Sequence, residues 1–444
     1  MDHSLSIREA ADRLGITDQA VHKRIKNGSL DAVKINKHWF VSEPSVEYAL
    51  VNVPKLGRPR RGDEYTLMNG PYPVMAFVYR EEKGSFAPRE VIDASRAPIG
   101  TVGRNGQAKA EGLRQWWSHR AIPESRDGLD AKLLKLGIDE PAQIPFRNLG
   151  LSLSDQYWIC PAGESLAWED LNYFQNEFEC PDSANWDDWL SGVGLSTPDN
   201  TSEGVLPKKW VCRSGRRLLL KGHVPWTDQQ AYNEAVASLL FERVLDGCDF
   251  VPYWTECAGQ LGVVSVCECF VSTDEEYVPA SLIYDSEGKR RGESEFDAVV
   301  RMSVNLGIPR REVETFLSKM IVCDSVRANT DRHLRNFGYL RNIHTLRWRF
   351  APLFDSGNSL WYDKDESAVA RGDHSFVSRP FDGNPNRQLL LAQRLEWLDP
   401  SDLDGFVEEA IAMLEKGDIA QWRLDYLREG LERRVAAVKE ICFL

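Results

Sequence analysis

Apolar residues near the amino terminus recur at helical spacing before the pattern changes to that of strands. Ser6-Ile7-Arg8-Glu9 has the S-x-x-E form of a capping box, and Ile7, Ala10, Ala11 and Leu14 share one face until Gly15 stops the turn. Thr17 stands where it caps a second helix with Ala20, Val21 and Ile25 on one face. Asp18, Gln19, His22, Lys23 and Lys26 point elsewhere, and Gly28 ends it. Leu30 to Ile35 and Trp39 to Val41 flank Asn36-Lys37-His38 and predict a small hairpin. From 65 to 190 the pattern is sparse: Pro73 to Tyr79 is strand-like, and Leu113 to Trp117 and Trp168 to Glu179 read as Trp-rich helical stretches. After a polar loop from Thr197 to Lys208 come strand-like Trp210 to Cys212, a turn at Ser214-Gly215, and Leu218 to Leu220 ending in Lys221. A helical run from Gln229 to Leu245 carries Ala235, Leu239 and Val244 on or near one face. Val263 to Val266 follows as a buried strand. Val313, Phe316, Leu317, Met320 and Ile321 then repeat at helical spacing, and Leu346 to Phe350 is strand-like again.

At 444 residues, with 42% apolar and 27% charged positions, the chain exceeds one ordinary core and predicts roughly two to four globular domains. This composition excludes a mostly disordered, collagen-like or coiled-coil chain. No apolar run approaches the about 18 residues needed to span a bilayer, so a soluble, cytoplasmic protein without membrane partners is expected. The nine cysteines are scattered, and Cys267 and Cys269 form a lone C-x-C, which argues against a zinc site or disulfide framework and for reduced, mostly buried thiols. A net charge of −13 excludes a protein that coats nucleic acid along its whole surface. Residues 1–62, however, carry eleven Lys/Arg against seven Asp/Glu, a net +4 that leaves −17 on the rest. Two functions joined end to end are therefore expected.

Helix, tight turn, helix and hairpin over 1–54 describe a winged helix-turn-helix. The run from Leu5 to Leu50 resembles the excisionase-type, MerR-like domains, in which the second helix enters the major groove. That resemblance implies DNA contacts from Gln19, His22, Lys23 and Lys26. Residues 55–64 are a basic linker containing Lys55-Leu56-Gly57-Arg58-Pro59-Arg60-Arg61-Gly62, which Pro59 keeps out of a helix. Its Gly57-Arg58-Pro59 core looks like an AT-hook, with Arg58 and Arg60 suited to a narrow minor groove; the alternative is a solvated linker.

Candidate chemistry concentrates after Thr197. A loop, two strands and a terminal lysine are what an ATP-binding lobe needs, because the lysine must reach phosphates from a rigid strand; Lys221 occupies that position. Glu234 lies early in the next helix, where it can hold Lys221 in place. The strand ending at Val266 leads to Glu268-Cys269-Phe270, where a hinge to adenine would fall. Asn329-Thr330-Asp331-Arg332-His333-Leu334-Arg335-Asn336-Phe337-Gly338 opens as a loop off the long helix, and Asp331 and Asn336 have D-x-x-x-x-N spacing. An aspartate there orients or deprotonates an acceptor hydroxyl, and an asparagine binds magnesium. Ala351-Pro352-Leu353-Phe354-Asp355-Ser356-Gly357 ends an apolar run on an acid that suits a second magnesium-binding position.

Residues from about 65 to 444 resemble the HipA-type serine/threonine kinases, the toxin half of bacterial toxin–antitoxin pairs. D-R-H-x-x-N followed by an aspartate is also shared with phosphoinositide kinases. Thr201-Ser202-Glu203-Gly204-Val205-Leu206-Pro207-Lys208 matches the family's phosphate-binding loop, S/T-x-x-G-x-x-x-K. The resemblance implies that Lys221 and Glu234 are the ion pair, Asp331 the base with His333 beside it in the catalytic set, and Asn336 and Asp355 the metal ligands. It implies ATP contacts from Thr201, Ser202, Gly204, Lys208, Lys221, Glu268 and Phe270, with ATP and Mg2+ as cofactors. Thr201 or Ser202 would be autophosphorylated, opposing nucleotide binding by charge repulsion. G-x-G-x-x-G, H-R-D and A-P-E are absent, and Ser356 stands in place of the Phe of D-F-G, departures that fit a HipA-like enzyme.

The expected fold is α+β: a two-lobed protein-kinase-like chain preceded by a small winged helix-turn-helix. The boundaries are 1–54 (helix-turn-helix), 55–64 (linker), 65–190 (HipA amino-terminal-like subdomain), 191–280 (small lobe) and 281–444 (helical large lobe). Implied partners are a protein substrate, an aminoacyl-tRNA synthetase by family likeness, double-stranded DNA, and an antitoxin or a second copy. Fusion would let one chain inhibit growth and repress its own promoter. Two other readings stay open: a DNA-binding regulator whose kinase-like half senses nucleotide without catalysis, and a kinase for small molecules or lipid head groups.

Overall fold

The computed structural model describes residues 4–14, 18–26, 30–35, 38–46, 63–80, 84–120, 144–178, 198, 206–224, 226–259 and 262–442. Its amino-terminal unit comprises β1 (Ser4–Ser6), α1 (Ile7–Leu14), α2 (Asp18–Lys26), β2 (Ala32–Ile35) and β3 (His38–Ser42), with β1 pairing on the far side of β3. The capping box forms: Ser6 N–H donates to Glu9 Oε2 at 2.8 Å and Glu9 N–H donates to Ser6 Oγ at 3.3 Å. Ala10, Ala11, Leu14, Val21, Leu30, Val41 and Val46 make a small core of their own. Gln19, His22 and Lys26 are exposed on α2, which also carries Lys23. Arg58 and Arg60 lie outside the described residues.

A second antiparallel sheet, in the order β6-β5-β4-β7, contains β4 (Asp63–Asn69), β5 (Tyr72–Arg80), β6 (Ser85–Val91) and β7 (Tyr157–Pro161). It packs with α3 (Ala110–Ser118) and α4 (Ile144–Arg147) around an aromatic core that includes Phe77, Trp117, Phe146 and Trp158. The helix expected from Trp168 to Glu179 stops early, as α5 (Trp168–Leu171). Buried Asn172 ends it: its Nδ2 donates to Trp168 O at 2.9 Å, and its Oδ1 accepts from Gln175 N–H at 2.8 Å. The side chain thereby takes over partners the helical ladder would need.

The third sheet, in the order β10-β11-β9-β8, is built from β8 (Lys208–Arg213), β9 (Arg216–Lys221), β10 (Tyr253–Cys257) and β11 (Val263–Glu268). Strand alternation sorts its side chains. Val211, Leu218, Leu220, Val264 and Val266 pack together on one face, while Trp210, Leu219, Lys221, Tyr253 and Cys267 line a cleft on the other. Between β9 and β10 runs α6 (Gln229–Val244), which is buried nearly all round and not along the single face expected from Ala235, Leu239 and Val244. The reason is its position: it lies between this sheet and the helical body, so Tyr232, Val236, Leu240 and Phe241 join the body's core.

That body contains β12 (Glu275–Pro279), α7 (Ala280–Glu287), α8 (Glu295–Asn305), α9 (Arg310–Val326), β13 (Gly338–Asn342), β14 (Trp348–Phe350), α10 (Glu366–Ala370), α11 (Pro385–Leu389), α12 (Phe406–Leu414) and α13 (Gln421–Ile441). The strand expected from Leu346 starts two residues later, because Leu346, at φ +58°, closes a turn by donating its N–H to Asn342 O at 2.8 Å. Gly338 is dictated by close approach: a Cβ there would sit 2.3 Å from Val278 O on the paired strand.

The eight described cysteines are free thiols, but only Cys267 and Cys323 are buried. Cys248, in the turn after α6, and Cys257, at the end of β10, are exposed, which corrects the expectation of mostly buried thiols. Among the described residues no helix is long and apolar enough to cross a membrane.

Candidate active site

Lys221 is the last residue of β9, and the pleat turns it toward the cleft. Its Nζ donates to Glu234 Oε1 of α6 at 3.0 Å and also pairs with Asp355 Oδ1. Glu234 is only 1% exposed, so its charge is sustained by partners; its Oε2 accepts from Ser356 N–H at 2.7 Å. Burial alone would favour a neutral amine at Lys221, but Asp355 and Glu234 hold the ammonium well above the ordinary lysine range. Burial likewise opposes ionisation of Asp355, yet Lys221, Lys208 and Arg332 hold its carboxyl below the usual range. Asp355 has φ +55°, a backbone region uncommon for residues other than glycine.

Across the cleft, α9 ends in a loop fixed by Asp324, a residue that sequence reasoning missed. Asp324 is buried and accepts from Arg327 Nη2 at 2.7 Å, Asn329 Nδ2 at 2.9 Å and Arg332 Nε at 2.9 Å. Fully buried Arg332 also donates to Asn336 O and, at 2.8 Å, to Phe354 O, tying the loop to the segment before Asp355. The available signal was an acid just beyond the apolar stripe of the long helix, followed by two arginines.

Held this way, the loop brings Asp331 and Asn336 together. Asn336 Nδ2 donates to Asp331 O at 2.8 Å and lies 3.4 Å from Asp331 Oδ2, which leaves Asn336 Oδ1 as its remaining acceptor. His333 is about a third exposed; its Nε2 is 3.6 Å from Asp331 Oδ1, and its Nδ1 accepts from Arg335 N–H at 3.3 Å. Asn358, also missed, donates from Nδ2 to Asp331 Oδ2 at 2.9 Å.

The cleft has a volume of about 600 Å3 and is lined by Lys208, Lys221, Asp331, His333, Asn336 and Asp355 together. Phe270 and Phe354 stack in its wall with centroids 5.2 Å apart and Tyr277 edge-on, an apolar surface that suits a planar base. Glu268 lines the cleft too, and its carboxylate pairs with Arg216 at 2.9 Å. Thr201, Ser202 and Gly204 lie outside the described residues.

In fold the chain is similar to a chain from the solved complex titled Shewanella oneidensis MR-1 toxin–antitoxin system HipA, HipB and its operator DNA. The TM-score is 0.54 at 13% identity, covering 85% of this chain and 97% of that one. The fold is kinase-like. Two further solved structures overlap less closely: the Helicobacter pylori proinflammatory kinase CtkA, with a TM-score of 0.43 at 16% identity over 54% of this chain and 91% of that one, and a golgi casein kinase, with 0.28 at 12% over 55% and 70%. No protein-family model and no curated protein matches the chain.

Proposed function

We propose that the chain is an ATP- and magnesium-dependent serine/threonine protein kinase of the HipA kind, joined to an amino-terminal unit that binds duplex DNA. The observation that carries this reading is the convergence of Lys221, Glu234 and Asp355 with Asp331 and Asn336 around one cleft. In it, Lys221 Nζ holds the α- and β-phosphates, and Glu234 keeps that ammonium in place from α6. Asp331 takes the proton of the acceptor hydroxyl as its oxygen bonds to the γ-phosphorus. The bond from the γ-phosphorus to the bridging oxygen breaks, and ADP leaves with the electron pair.

The donors suit magnesium. Asp355 and Asn336 both line the cleft and offer hard oxygens, the donor type for a cation that keeps water and phosphate oxygens as its other ligands. Bound there, the ion would supply positive charge against the phosphates. His333 remains in the proposed catalytic set, acting through its proximity to Asp331 Oδ1.

We divide the chain functionally at 1–54, 55–64, 65–190, 191–280 and 281–444, a division supported by separate cores in the first unit and the 63–178 region. The fold likeness to a HipA–HipB–operator complex supports a toxin role, an antitoxin partner and control of the chain's own promoter. Incubating the purified chain with γ-labelled ATP, magnesium and host lysate tests the kinase reading. A discrete labelled protein is expected, and labelling no greater than in lysate alone contradicts it.

DNA binding has its own test. Lys26 is exposed on α2 with Gln19 and His22 beside it, so the chain should shift duplex DNA from its upstream region, with affinity falling steeply as salt rises. Lys26→Ala should weaken binding to all sequences and reduce the slope of log affinity against log salt by about 0.9. Binding that survives deletion of residues 1–62 unchanged would instead place the DNA site elsewhere.

A further inference from the structure

Asp331 is reached by a hydrogen-bond chain that starts in the small-lobe strand region and runs through α6. Val224 N–H donates to Gln230 Oε1 at 2.9 Å, Gln230 Nε2 donates to Asn358 Oδ1 at 2.6 Å, and Asn358 Nδ2 donates to Asp331 Oδ2 at 2.9 Å. A side-chain amide can be turned either way, but here one end fixes every member. A backbone N–H can only donate, so Gln230 must present oxygen to Val224 and nitrogen to Asn358. Asn358 must then present oxygen to Gln230 and nitrogen to Asp331, which as a carboxylate can only accept. The polarity is consistent from Val224 to Asp331 with no frustrated contact.

The chain is also held rigidly. Gln230 is 4% exposed, and the Asn358 carbonyl accepts from both Thr330 N–H and Thr330 Oγ1 at 3.1 Å, beside Asp331 in sequence. Neighbours on α6 clamp the same segment: Asn233 Nδ2 donates to Gly357 O at 2.9 Å and Ser359 O at 2.7 Å, and Gln229 Nε2 donates to Leu360 O at 2.9 Å. Gln230 and Glu234 lie one turn apart on α6, so a single helix face grips the base through Asn358 and the lysine through Glu234.

We propose that Asn358 is a positioning residue for phosphotransfer, its amide occupying Asp331 Oδ2 so that Oδ1 is the oxygen presented to the acceptor hydroxyl. This rests on the kinase reading of the cleft. In this reading Asn358 acts through Asp331, by fixing the rotation of its carboxylate.

The test compares the parent, Asn358→Ala, Asn358→Asp, Gln230→Glu and Asp331→Ala as full chains. It reads the initial rate of protein-bound label from γ-labelled ATP in host lysate, the KM for ATP, and thermal melting. Asn358→Ala should lower the maximal rate roughly 10- to 100-fold with KM for ATP unchanged. Asn358→Asp keeps the size of the parent residue and its acceptor for Gln230 but sets a second carboxylate against Oδ2, so it should be slower still. Gln230→Glu keeps an acceptor for Val224 but sets a carboxylate oxygen against Asn358 Oδ1 in place of the donor, which unlocks the Asn358 amide and should cost several-fold; it decides the matter if an Asn358 variant fails to fold. An Asn358→Asp rate equal to the parent's, or a change confined to KM, overturns the proposal. So do parent-like rates in both Asn358 variants when Asp331→Ala is inactive, an outcome that leaves the kinase reading standing. Full activity in Asp331→Ala removes that reading as well.

Discussion

Asp331→Ala should lose phosphotransfer by about 10²- to 10⁴-fold, the contribution of a positioned general base, while ATP affinity and thermal melting stay close to those of the parent. The separation follows from where Asp331 sits. Its side chain is about a third exposed at the edge of the cleft, and its contacts are hydrogen bonds from Asn336 and Asn358, not core packing. The loop backbone is held from behind by Asp324 and Arg332, which the substitution leaves intact. Lys221 pairs with Glu234 and Asp355, and the substitution leaves both pairs in place. Initial rates with labelled ATP, an ATP titration and a melt on the same preparation check all three. Labelling at the parent's rate would contradict Asp331 as the base and, with it, the kinase reading of this cleft.

Lys221→Met should affect both binding and stability. Methionine removes the ammonium shared by Glu234 and Asp355, leaving the buried Glu234 carboxylate beside half-buried Asp355 with no cation between them; breaking a buried ion pair such as Lys221–Glu234 costs about 3–5 kcal/mol. ATP binding should fall as well, through the lost charge and the loosened site. Acid sensitivity provides an independent check. Because Asp355 is held below the usual carboxylate range, its contribution to stability is present above its unfolded pKa of about 3.9 and is lost as pH falls through the folded value. The parent should therefore lose stability on acidification below about pH 4, and Lys221→Met, lacking the ammonium that sets this shift, should lose less over the same interval. Chemical denaturation of both proteins from pH 7 to pH 3 measures the difference. Equal slopes would mean that the Lys221–Asp355 pair adds nothing to folding.

The residues that were legible in the sequence are those at fixed spacings on strongly periodic elements. Lys221 ends an apolar strand, Glu234 lies a short way into a helix, and Asp331 and Asn336 flank a loop after a helical stripe. Such positions need only local pattern. What escaped was held by non-local pairing or by burial of polar groups. Tyr65 on β4 pairs with Pro161 on β7, across nearly a hundred residues, and no local periodicity announces that contact. Gln229, Gln230 and Asn233 look like a solvated helix face, yet they are buried because the segment around Asn358 needs their hydrogen bonds. Asp324 reads as the polar end of a helix until Arg327 and Arg332 close over it. The Trp168 helix misled for a related reason: Asn172 found backbone partners that compete with the helix.

If Lys221, Asp331, Asn336 and Asp355 form one phosphate-handling site, a crystal structure with a non-hydrolysable ATP analogue and magnesium will show it. The expected result has the base against Phe270 and Phe354, the phosphates at Lys221, the cation on Asn336 and Asp355, and the γ-phosphate facing Asp331 Oδ1. A nucleotide seated outside this cleft, or a cation touching neither Asn336 nor Asp355, would contradict it.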